Sequence, residues 1–216
     1  MRETWRKKAN LPPDPPTPAG QRTLILIPII HTQADLGALS EPIQRLKVAK
    51  LGKKNWARNL KLVNELWSHI EQTLESLALS YERVRVYQDG LPVCGHELEI
   101  VSELAKAGSR NHRLLLKLKQ KGATIMGTES SELLVEEYQL LQQAFSAPRS
   151  KVPARAAPRR RSLQDSLLER RDQYIGARID TTLQRGETGV LLLGMLHSVE
   201  SWLAKDIRVV RPVCHL

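Results

Sequence analysis

Two histidines each close an apolar run: Leu24-Ile-Leu-Ile-Pro-Ile-Ile-His31 and Gly189-Val-Leu-Leu-Leu-Gly-Met-Leu-His197. In open α/β sheets ligands bind at the carboxyl ends of the strands, so a histidine at such a tip is placed for chemistry rather than for packing. Two neutral imidazoles with one or two carboxylates suffice for hydrolysis in either of two ways. In the first, a divalent metal ion (Zn, Mn or Co) with an open position binds water and lowers its pKa toward neutrality. His31, His197 and either Glu129 or Asp89 are then the ligands. We take Glu129 as the third ligand and Asp89 as the general base, with Arg171 stabilising charge that develops on a carbonyl or phosphoryl oxygen. In the second, a histidine with a carboxylate partner activates water without a metal. The sequence does not choose between them. It contains no HExxH, GxSxG, P-loop or GxGxxG at a strand-to-helix junction, which removes the best support for zincin, serine-hydrolase, NTPase and Rossmann-cofactor chemistry.

The elements that would position these residues follow from hydrophobic period and turn chemistry. The first strand ends near Ile30, and its near-continuous apolar content suits a strand covered on both faces. His31-Thr-Gln-Ala-Asp35 then makes a polar loop, in which Asp35 reads either as a partner of His31 or as a helix cap, the cap being preferred. Trp56, Leu60, Val63, Leu66, Trp67, Ile70, Leu74 and Leu77 recur in steps of three and four, predicting an amphipathic helix over 55–80. Alternation over 81–88 predicts a second strand with Asp89 at its tip. A helical region over 97–120 breaks near Gly108, and Ala123–Glu129 is a short third strand ending in Glu129. Helices are expected over 132–145, over 163–185 and after Ser198. Alternating strands and helices predict an α/β fold: a mainly parallel sheet flanked by helices, with a polar site at the strand tips.

One helix carries an anomaly. At 100° per residue, Leu163, Leu167, Leu168, Tyr174, Ile175 and Ile179 form an apolar stripe with Arg171 and Arg178 near its middle. Arginine is almost never buried without an acid. Either the stripe faces a polar cleft, or these arginines meet the carboxylates at the strand tips, or both reach out to solvent.

Composition bounds the partners. The formal charge of +10 is concentrated in two places: six cations without an acid over 149–161, and five against two acids up to Arg22. The rest is nearly neutral, which argues against a nucleic-acid recognition face. We therefore expect a Pro-rich tail over 1–21 and one α/β domain over 22–216, interrupted by a basic Pro/Ala/Arg linker at 147–162. With Cys94 and Cys214 as the only cysteines, no apolar leader and no bilayer-length apolar run, the sequence predicts a non-membrane, cytoplasmic protein. Its oligomeric state is not legible.

These motifs together resemble the TraB/Tiki group, part of a broader superfamily with erythromycin esterase-like and haem-uptake proteins. The likeness rests on paired GxxH-type motifs, acids at intermediate strand ends, and Arg171-Asp172-Gln-Tyr-Ile-Gly ahead of Gly194-Met-Leu-His197. The first motif departs from the pattern, with Pro28 in the glycine position, and Arg170 replaces an acid before Arg171. The resemblance implies metal-dependent hydrolysis of peptide or ester bonds in a small-molecule or peptide substrate. A noncatalytic protein binding haem or another ligand in the same cleft is the alternative.

Overall fold

A computed structural model describes residues 21–32, 35, 52–146 and 156–212 of the chain. Residues 1–20 of the proposed tail and 147–155 of the proposed linker lie outside them. Five strands, β1 (Arg22–Ile29), β2 (Val84–Gln88), β3 (Thr124–Met126), β4 (Thr188–Gly194) and β5 (Ile207–Val210), form one sheet in the order β3-β2-β4-β1-β5. All of its pairings are parallel. Among the described residues five helices accompany it: α1 (Lys53–Ser76), α2 (Glu97–Lys106), α3 (Arg110–Gln120), α4 (Ser131–Ser146) and α5 (Ala156–Thr182).

The two-residue period of a strand divides the apolar runs between two cores. Ile25, Ile27 and Ile29 of β1, with Val86 and Leu192, face Trp67, Ile70 and Leu74 of α1 and Leu115 of α3. Leu24 and Leu26, with Tyr87 and Leu191, face Ile175 and Ile179 of α5. A strand buried on both faces needs apolar residues at every position, which is why β1 and β4 read as continuous runs. Pro28 falls where β5 no longer flanks β1, since β5 pairs only with Arg22–Ile25. A residue without an N–H is tolerated beside such a free edge.

Three sequence expectations are corrected. The segment after Ser198 is not an amphipathic helix; one 3-10 turn (Val199–Trp202) leads into β5, a strand the reading missed. Trp202 is pressed against α5 so closely that a Cβ on Gly176 would lie 2.7 Å from its backbone oxygen, which leaves no room for a longer helix there. Helix α5 begins at Ala156, so part of the proposed linker is helical. The third strand is only Thr124–Met126, and Glu129 follows it in a single bridge to Pro92.

The connections decide where a site can form. From β1 the chain enters α1 on one face of the sheet, whereas from β4 it turns onto the opposite face, where Val199 joins the α5 core. The adjacent pair β1 and β4 is thus the point at which the winding reverses, and a crevice opens outside their carboxyl ends. Ile29 and Gly194 are register partners there. His31 and His197 follow them within three residues.

Candidate active site

The crevice holds a cavity of about 470 Å³ whose wall includes His31, Asp89, Arg171 and His197. Four of the five residues singled out from sequence converge at or beside Asp89, and the fifth, Glu129, lies behind it. Asp89 leaves β2 at the tip and is 6% exposed. Its Oδ2 lies 3.0 Å from Nε2 of His31 and 3.6 Å from Nε2 of His197, and it accepts the Gly194 N–H at 2.9 Å. Burial alone would raise the Asp89 carboxyl. Contact with His197 and His31 outweighs burial and holds it well below the usual carboxylate range. An ionised carboxylate only accepts, so His31 must donate its Nε2–H. Among the described residues, His31 Nδ1 then has no hydrogen-bond partner, and its side chain is 33% exposed.

His197 is set from the other side. Its Nδ1 pairs with Asp172 Oδ1 at 2.6 Å, while Asp172 Oδ2 accepts the Ser198 N–H at 2.7 Å. Burial would lower the imidazole's pKa, but the bond to Asp172 and the proximity of Asp89 raise it from 6.5 to about 9. His31 is also raised, burial being outweighed by the bond to Asp89.

Arg171 resolves the helical anomaly in favour of the acid-paired arrangement. Nε and Nη2 fork onto Glu129 at 2.6 and 2.8 Å, Nη2 also reaches Asp89 Oδ1 at 2.9 Å, and Nη1 donates to Glu137 at 2.8 Å. The remaining N–H of Nη1 is what is left for a ligand. Glu129 also accepts the Gly90 N–H at 2.7 Å. Burial raises its pKa, with Arg171 opposing the shift and Asp89 adding to it. Arg178, the other arginine of the stripe, donates to the Gly127 carbonyl at 3.0 Å instead of meeting an acid.

Glycine is required at one position here. A Cβ on Gly194 would stand 2.7 Å from Asp89 Oδ2, so only glycine admits the carboxylate to the end of β4. The glycine of the second histidine motif is therefore explained by the approach of Asp89.

The metal trio His31, Glu129 and His197 does not assemble. Both Glu129 oxygens are taken by Arg171, and among the described residues no three His, Cys, Asp or Glu side chains are grouped to hold a metal ion. The residues present fit an ion-pair network with Asp89 at its centre.

Two participants are not apparent from the sequence. Asp172 stands out only as part of a motif, although its position one residue after Arg171 carries it toward His197. Glu137 approaches from α4. Asp35, read either as a partner of His31 or as a helix cap with the cap preferred, is a buried acceptor from Thr32 N and Oγ1 at 2.5 and 2.8 Å and from Ser109 Oγ. Comparison of the chain with protein-family models, curated proteins and solved structures gives no match.

Proposed function

We propose that the protein is a hydrolase of ester or peptide bonds in which His31, backed by Asp89, activates water. The observation that carries this reading is the 3.0 Å contact of His31 Nε2 with a buried, ionised carboxylate, which leaves Nδ1 without a partner among the described residues at the edge of the cavity. His31 Nδ1 takes a proton from water as its oxygen attacks the acyl carbon, and Asp89 stabilises the imidazolium that results. The proton returns to the leaving oxygen or nitrogen when the acyl bond breaks. His197, with its pKa near 9, is cationic at neutral pH and, with Arg171, keeps Asp89 ionised.

The metal-dependent version is the second reading. It is favoured by His197, whose Nδ1 is fixed by a carboxylate, as is usual for a metal-ligating imidazole. It would need His31, His197 and Asp89 to rearrange around the ion, since among the described residues they are paired with one another and not grouped to hold a metal. Noncatalytic binding of haem or another ligand is the remaining alternative. A panel of 4-nitrophenyl esters and peptide anilides, assayed before and after exhaustive chelation, separates the three. Turnover that survives chelation is expected. Turnover abolished by chelator and restored by Zn, Mn or Co assigns the metal version, and ligand affinity without turnover of any substrate assigns the binding role.

A further inference from the structure

The cavity wall contains a third histidine that this chemistry does not use. His112, in the first turn of α3, lines the cavity together with Asp35. Burial would raise the Asp35 carboxyl, but its bonds with His112, Ser109 and Thr32 outweigh burial and keep its pKa lowered. An ionised carboxylate cannot donate, so the hydroxyl proton of Ser109 must go to Asp35. Ser109 Oγ then has only lone pairs left. It accepts the His112 backbone N–H at 3.1 Å and lies 2.7 Å from His112 Nδ1. That nitrogen must therefore carry a proton, so that the tautomer with a lone pair on Nε2 is the one these bonds select. Among the described residues Nε2 has no hydrogen-bond partner, and it is not one of the sealed orphan atoms either. Leu104, Leu141 and Leu168 share the cavity wall with it, alongside the charged groups of the site.

We propose that His112 Nε2 is a specificity-determining acceptor, selecting substrates that carry a neutral hydrogen-bond donor, a hydroxyl or an amide N–H, near the hydrolysed bond. The inference rests on the hydrolytic reading for the word substrate, but the acceptor itself does not depend on it. His112 is buried, so a ligand without the donor would leave its lone pair unpaired and shut off from water, a loss that an exposed acceptor does not suffer. Asp35 and Ser109 act through the ring, as positioning residues that fix its tautomer.

Two measurements test the proposal. Long-range 15N-edited NMR of the wild-type protein at alkaline pH should show His112 protonated on Nδ1 and bare on Nε2, with Ser109→Ala allowing both tautomers. A wild-type ring protonated on Nε2 overturns the proposal. The second uses 4-nitrophenyl esters in matched pairs, hydroxyacyl against O-methyl ether and N-acetylaminoacyl against its N-methyl form, with the donor moved stepwise along the acyl chain. At least one donor-bearing ester should exceed its masked partner by about 10-fold or more in kcat/KM, and His112→Phe should reduce that ratio to about unity. Which pair responds distinguishes hydroxyl from amide. If masked and unmasked esters are hydrolysed alike, the proposal falls while the hydrolytic reading stands. If neither the esters nor the peptide anilides are hydrolysed, the hydrolytic reading falls, and the affinities of the matching methyl ketones decide on His112 by the same ratio.

Discussion

His31 and Asp89 stand 3.0 Å apart although their strands are not neighbours, because β4 runs between β1 and β2 and its last residue, Gly194, has no side chain to separate them. The carboxylate reaches across the end of β4, and the N–H of Gly194 anchors it there. The site is thus made by the order of the strands.

Gly194→Ala should therefore damage the site by a purely steric route. A methyl group 2.7 Å from Asp89 Oδ2 forces either the carboxylate or the strand end to move. We expect a loss of about 1–3 kcal/mol in stability, typical of overpacking, and a larger proportional loss of turnover. Urea titration and kcat/KM on the same preparation check both, and wild-type values for both would refute the steric account.

Arg171→Lys keeps one charge but loses the fork that serves Glu129 and Asp89 together. The protein should stay folded, destabilised by roughly 2–4 kcal/mol as a buried pair is broken in part, with turnover strongly reduced. Arg170→Lys is the control. Arg170 pairs with Glu136 at the surface, so its replacement should leave stability essentially unchanged. Thermal melts of the two variants, compared side by side, read the contrast.

The stability of the fold should fall on the alkaline side. His197 has its pKa raised in the folded protein from 6.5 to about 9, so its contribution is complete below pH 6.5 and is lost as pH rises through about 9. The full loss is on the order of 3 kcal/mol, at about 1.4 kcal/mol per pKa unit. Asp89 acts in the opposite sense, its contribution being lost as pH falls through its depressed folded value. Urea midpoints between pH 6 and 10 should decline, and Asp172→Asn, which removes the carboxylate facing His197 Nδ1, should flatten that decline. An alkaline limb as steep in Asp172→Asn as in the wild type would show that His197 is not its source.

Turnover should trace a bell in pH. It should rise as His31 loses its proton, at a value above 6.5, and fall as His197 becomes neutral near 9. His197→Gln should remove the falling limb and leave the rising one. Initial rates with a 4-nitrophenyl ester, corrected for spontaneous hydrolysis, give the profile; a rising limb at the ordinary carboxylate range would assign the base to an acid instead.

Much of this arrangement was legible in the sequence because it follows from local pattern. The apolar runs before His31 and His197 mark strands buried on both faces, and parallel strands bring their carboxyl ends together, so the two histidines had to share an edge. Arg171 on an apolar stripe marked the helix as anomalous but left open whether it met acids, a polar cleft or solvent. Partner choice was not legible, because it depends on strand order: which of Asp89 and Glu129 would meet the histidines cannot be read from two acids that each end a strand. The fifth strand was missed because Ile207–Val210 is short and its pairing with β1 is non-local. Arg22 holds it there by binding Asp206 and Asp180 at once, a clip that no periodicity reveals.

The account stands or falls on His31 as the base. The most direct test is kcat/KM of wild type and His31→Gln for the same 4-nitrophenyl ester, measured in chelator, with a melt of each protein. We predict a loss of about 10²–10⁴-fold in the variant, the range of general-base catalysis, with a melting temperature within a few degrees of the wild type because His31 is partly exposed. Equal activity in the two proteins would contradict the account and move the chemistry away from the tip of β1.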